Sequence, residues 1–102
     1  QGLGALPLDV RAAGIDVLAC GAQKWLQSPW GTAFAYVRAA LVETLEPPVV
    51  GWMATVGSED FSAMCHYTET WFPDARRFEQ ITLPMHDFAA MNESLALLDA
   101  LG

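Results

Sequence analysis

Lys24 is the one lysine in a chain of 102 residues, and its surroundings are unusual for a lysine. It follows a mostly apolar run, residues 15–20, and a small-residue turn, Gly21-Ala22, and it is flanked by Gln23 and by Trp25-Leu26. An amine partly withdrawn from water is pushed toward its neutral form, and a neutral amine attacks a carbonyl carbon. That is the requirement for a lysine that works through a Schiff base. The same residues also suit a lysine that lays its methylene stem along Trp25 and keeps its charge in water. The other polar candidates are weaker. Cys65-His66 sets a thiol beside an imidazole, but sequence neighbours in a strand face opposite ways and rarely form a catalytic couple, so the pair reads as structural. Arg76 and Arg77 have the chemistry to bind a carboxylate or phosphate, yet a surface ion pair with Glu79 or Asp74 is the expected use. Trp25 and Trp30 suit either a substrate wall or packing.

The elements that would carry Lys24 follow from the local pattern. Asp9 ahead of residues 10–13, with Gly14 behind them, reads as a short helical turn with an N-cap acceptor and a left-handed stop. Residues 15–20 read as a strand covered on both faces, which puts Lys24 at the strand's carboxyl end, where open α/β sheets place their ligands. Residues 27–31 are turn-rich, and residues 32–38 carry the β-branched and aromatic side chains of a second strand. A helical turn or two is expected over 39–46, ended by Pro47-Pro48. Residues 49–74 show no sustained period and read as a long irregular excursion of functional or interfacial use. A short strand is expected over 76–83. In the tail, Phe88, Met91, Leu95 and Leu98 fall at helical spacing, which predicts an amphipathic helix over 87–101 capped by Asp87 and followed by Gly102.

Composition removes several classes of function. Five basic against twelve acidic residues give a net charge of −7, which argues against nucleic-acid binding because phosphate backbones call for clustered Lys and Arg. With 53% hydrophobic and 17% charged residues the chain is expected to be globular. No apolar stretch approaches the ~20 residues of a membrane span. Cys20 and Cys65 lie far apart, without CxxC or Cys/His spacing, so neither a metal site nor a disulfide framework is expected. Two reduced thiols in a cytoplasmic protein are. The chain opens on Gln1 with neither an initiator Met nor the basic and apolar regions of a signal peptide, and reads as an internal segment of something longer.

Read as words, Pro7-Leu8-Asp9, Ile15-Asp16, Gly21-Ala22-Gln23-Lys24-Trp25-Leu26, Ser28-Pro29-Trp30-Gly31 and Ala35-Tyr36-Val37-Arg38 resemble the segment around the cofactor lysine of class V aminotransferases. Gly51-Trp52 resembles a Gly-Trp found further on in several members, and Arg77-Phe78-Glu79-Gln80-Ile81-Thr82 is similar to the family's Arg-Phe-Glu-x-Gly-Thr. The resemblance is collinear from Gln1 to the final helix. It implies an α/β fold, part of the mixed-sheet large domain of a fold-type I pyridoxal-phosphate-dependent transferase, with residues 1–102 as the second half of that domain. It implies action on a small amino-acid substrate in a homodimer. The alternatives are a cysteine desulfurase or related lyase, and a noncatalytic α/β interaction module derived from the fold.

Carried over residue by residue, the resemblance implies that Lys24 forms the internal aldimine with pyridoxal 5'-phosphate and moves the substrate's α-proton, while the cofactor ring is the electron sink. Gln1 matches the glutamine of the family's Asp-x-x-Gln, implied to donate to the cofactor's phenolic oxygen. Gln23 stands where desulfurases often have a histidine near the phosphate, and an amide there donates a hydrogen bond without adding charge. Gly21 replaces a frequent serine. Thr82 matches the threonine that reaches across the dimer to the partner's cofactor phosphate, with Ile81 in the place of the family's glycine. The ring-nitrogen aspartate and the substrate-carboxylate arginine are implied outside these residues. Trp52, Phe61, Trp71 and Phe72 are expected to give the excursion an aromatic contact surface at the dimer interface. The two strands, read as buried on both faces, have one amphipathic helix to cover them, so the 102 residues alone are not expected to form a stable, active unit.

Overall fold

The computed structural model describes residues 1–66 and 68–102. They divide into two compact units. The first combines Gln1–Tyr36 with Leu83–Gly102, and the second is the intervening Val37–Thr82.

In the first unit Asp9 caps the opening turn as its sequence predicts. Its carboxylate accepts from the backbone N–H groups of Arg11 at 2.8 Å and Ala12 at 3.1 Å, and Gly14 ends the turn at a φ of 66°. Strand β1 covers Val17–Gly21 and pairs with β2, Ala33–Val37, in a two-stranded sheet. Both lie within a residue or two of their predicted bounds. Within these residues Cys20 is buried and Leu18 half-buried, while Val17, Ala19 and Gly21 are exposed, the uncovered face expected of the strand when the 102 residues stand alone. Helix α2 covers Met85–Leu101. It begins two residues before its predicted start because Pro84, not Asp87, occupies the cap. The Pro84 carbonyl accepts from Asp87 N at 3.0 Å and Phe88 N at 3.2 Å, and Asp87 sits in the first turn, where its charge suits the helix dipole. The tail closes on Gly102, whose N–H donates to the Leu98 carbonyl.

The predicted stripe of α2 makes the core. Met91 is buried against Cys20, Ala22 and Leu26, with Phe88, Leu95 and Leu98 from the helix and Leu3 and Phe34 packed around them. Leu97 and Leu101 of the same helix stay exposed, so α2 is apolar on more than its packed face.

The second unit opens with the short helix α1, Ala39–Val42, inside the predicted 39–46. The excursion that follows is irregular, as expected, apart from a 3-10 turn at Phe61–Ala63 and a bridge between Thr55 and Trp71. The strand expected over 76–83 is absent. A 3-10 turn, Ala75–Phe78, takes its place, because the Asp74 carboxylate accepts from Arg76 N at 3.0 Å and winds the backbone before any ladder can begin. One apolar residue every two or three positions was too loose a pattern to hold a strand.

Candidate active site

Lys24 stands on the connection between β1 and β2, and that connection is pinned at its root. Ala22, fully buried, donates its N–H to the carbonyl of Thr32 at 2.9 Å and accepts from Ser28 N at 3.1 Å. Thr32 is 1% exposed and turns its hydroxyl back onto the Pro29 carbonyl at 2.7 Å. Within this frame Gln27 N donates to the Lys24 carbonyl at 3.0 Å, and Gln27 itself takes the left-handed φ of 51°. The hydroxyl of Ser94, from α2, reaches the Gln27 carbonyl at 3.0 Å. Leu26 points into the core while Lys24 and Trp25 face outward.

The backbone of the Lys24 turn is therefore fixed and its amine is free. Lys24 is exposed within these residues, so they do not by themselves supply the partial desolvation expected of the amine. Among the described residues no side chain pairs with its ammonium group. Burial of that amine would need atoms beyond these 102 residues. Trp25 is 59% exposed and Trp30 81%, so neither ring packs into the core that these residues form.

Gln23 precedes Lys24 and folds back over Gly21. A Cβ at position 21 would lie 2.6 Å from the Gln23 Oε1, so the amide occupies the room that a serine at 21 would claim. The contact is with the flexible end of the Gln23 side chain, which another rotamer relieves. Gln1 is exposed and lines a cleft of about 270 Å³ with Leu3, Leu8, Leu18 and Cys20; Lys24 is not among its walls. Thr82 is exposed and belongs to the second unit. Within the first unit the structure thus joins Gln23 and Lys24 on one turn and places Gln1 on a cleft that Lys24 does not line.

The arginine pair separates into two roles. Arg76 makes the expected surface ion pair with Asp74, at 2.9 Å, and a longer one with Glu59, at 3.4 Å. The Asp74 carboxyl is held below the usual carboxylate value by the Arg76 side chain first and its backbone N–H second. The Arg76 guanidinium also lies 4.0 Å from the centre of the Phe72 ring. Phe72 is only 6% exposed, so it is withdrawn from the aromatic surface expected of the excursion, whereas Phe61 stays 64% exposed. Arg77 instead donates from Nη1 to the Val42 carbonyl at 2.8 Å, across thirty-five positions of sequence. Cys65 and His66 are both exposed, and no group of three or more metal-ligating side chains gathers among the described residues. No helix among them is long and apolar enough to cross a membrane.

A sequence profile described as Aminotransferase class-V matches residues 1–102. The chain belongs to the class V aminotransferase family. It is also similar to an uncharacterized aminotransferase, YcbU, of Bacillus subtilis strain 168, at 32% identity over 102 residues. The match takes in the whole chain and 25% of that relative, so the chain spans about a quarter of its length. Membership supports an enzyme, a transferase, built on an α/β scaffold of which the β1–β2 pair and α2 are parts. The donor chemistry of the Lys24 turn suits the cofactor such enzymes generally use: a primary amine for an aldehyde, an adjacent amide donor for a phosphate oxygen, and the small residue Gly21 leaving that amide its place.

Proposed function

We propose that these residues are the second half of the cofactor-binding large domain of a longer, fold-type I, pyridoxal-phosphate-dependent enzyme that transforms an amino acid at Lys24. The observation that carries this reading is the exposed, unpaired amine on a pinned turn at the carboxyl end of β1, in a chain that the family profile matches throughout. When bound, the cofactor supplies an electron sink that makes the α-carbon of an amino acid acidic. This chain supplies the rest. Lys24 anchors the cofactor covalently and carries the α-proton to and from the substrate. Gln23 holds the phosphate by its amide N–H, and Gln1 orients the ring through its phenolic oxygen. Thr82 donates its hydroxyl to the phosphate bound by the partner subunit, which makes the homodimer the working form. Unpaired Cys20 and Cys65 agree with a cytoplasmic setting.

Borohydride reduction of the full-length protein followed by peptide mass mapping tests the reading. A phosphopyridoxyl group on Lys24 is the expected result, with Lys24→Ala folded and without turnover. A label on another lysine would refute it.

A further inference from the structure

Among the described residues Thr82 carries no side-chain anchor of its own, so something else must fix where its hydroxyl is presented. The second unit contains the means. Backbone 74–80 is held at three points before the chain reaches Ile81 and Thr82, both exposed. Asp74 caps the 3-10 turn. Arg77 ties that turn to α1 through the Val42 carbonyl at 2.8 Å, with its Nε buried and without a hydrogen-bond partner among the described residues. The third point is Gly51. It is buried, and a Cβ built there would overlap the carbonyl oxygen of Glu79 and the Cα of Gln80, with the Glu79 carbonyl carbon at 2.9 Å. The obstruction is backbone, which has no rotamer with which to yield.

This glycine is required for space and not for an unusual φ. Its own loop is fixed as well: the Gly51 carbonyl accepts from Ala54 N at 3.1 Å, and the Ala54 carbonyl accepts from Phe72 N at 3.2 Å. Two segments nearly thirty positions apart therefore lie backbone against backbone at Gly51, and the residues directly beyond that contact are Ile81 and Thr82.

We propose that Gly51 is a positioning residue for Thr82: by letting the Glu79–Gln80 backbone lie flat on the 51–54 loop, it sets the height at which the Thr82 hydroxyl meets a cofactor phosphate. Arg77 holds the other side of the same segment. The inference rests on the reading of Thr82 as a phosphate ligand given above. A methyl at position 51 must lift residues 79–80 off the loop, and a displacement of that kind is enough to break one hydrogen bond three residues on.

The test compares two ligands of the full-length protein, pyridoxal 5'-phosphate and pyridoxal, which differ only in the phosphate. In Gly51→Ala the affinity for pyridoxal phosphate is expected to fall about tenfold, the worth of one hydrogen bond to a charged group, while the affinity for pyridoxal is unchanged. Arg77→Leu, which leaves Gly51 intact, is expected to show the same selective loss and guards against a glycine variant that fails to fold. In a Thr82→Ala background neither substitution should add to the loss. Equal losses for both ligands, or additive losses with Thr82→Ala, would show that Gly51 serves only general packing. A full Lys24 label combined with an unchanged ligand ratio in Thr82→Ala would overturn this inference and leave the proposed function standing; absence of the label would overturn both.

Discussion

At the level of single residues, charge is spent on fixing backbone more than on salt bridges. Asp9, Asp60 and Asp74 each cap a turn through backbone N–H groups, and for Asp60 and Asp74 a side-chain hydrogen bond first and the backbone cap second hold the carboxyl below the ordinary value of 3.8. For Asp60 the Ser62 hydroxyl is the first cause and the Ser62 N–H the second; for Asp74 the two come from Arg76. A carboxyl whose folded value is depressed stabilises the fold above its unfolded value, and that contribution is lost as pH falls through the folded one. At neutral pH it is therefore complete. Asp74→Asn in the full-length protein is expected to lower stability at neutral pH, and the gap to the wild type should close as the solution is acidified below 3.8. Denaturant titrations of both proteins along that range check it. A gap that widens on acidification would show that the sign is wrong.

Elements held by periodic apolar residues were legible from the sequence, and those decided by one polar contact were not. β1, β2 and α2 stand close to their predicted positions because Cys20, Phe34 and the 88, 91, 95, 98 stripe each pack into one shared core. The strand expected over 76–83 failed because Asp74 alone decides that backbone, and a cap outweighs a weak alternation. The turn that carries Gln23 and Lys24 was legible from the small residues that follow β1, yet the outward direction of Lys24 within these residues was not, since apolar neighbours say nothing of which way a side chain leaves a turn. Gly51 and Arg77 stood out in the sequence, but their contacts did not: what they touch lies far along the chain, and a glycine advertises nothing about the surface laid over it. The packing of α2 gives a direct check. Met91→Ala removes the one buried side chain of the helix, 5% exposed in the wild type, and is expected to cost about 2–5 kcal/mol by loss of contacts and the cavity left behind. Urea unfolding of the full-length protein measures it, and a loss below about 1 kcal/mol would mean that the helix is not seated on Cys20 and Ala22.

For the chain as a whole, exposed apolar surface outweighs the core. Leu6 at 70%, Val50 at 68%, Trp30 at 81% and Leu101 at 75% exposure stand against a first-unit core of Cys20, Ala22, Leu26 and Met91. A domain of this size ordinarily hides about 60–70% of its unfolded surface, and a two-stranded sheet under one helix is a small set of layers for that task. The 102-residue polypeptide produced alone is thus expected to bind a hydrophobic dye, to melt without a cooperative transition and to hold no stoichiometric pyridoxal phosphate. A sharp calorimetric transition with cofactor bound would refute this. The division into an outer unit from both ends of the chain and an inner unit from its middle also sets an order of synthesis. A ribosome delivers the whole of the inner unit once residue 82 has emerged, but the turn bearing Lys24 waits for Ser94 and Met91, which arrive some seventy residues after it was made. Lys24 is translated early and its turn is seated late, so through that interval the turn lacks the α2 contacts that hold it.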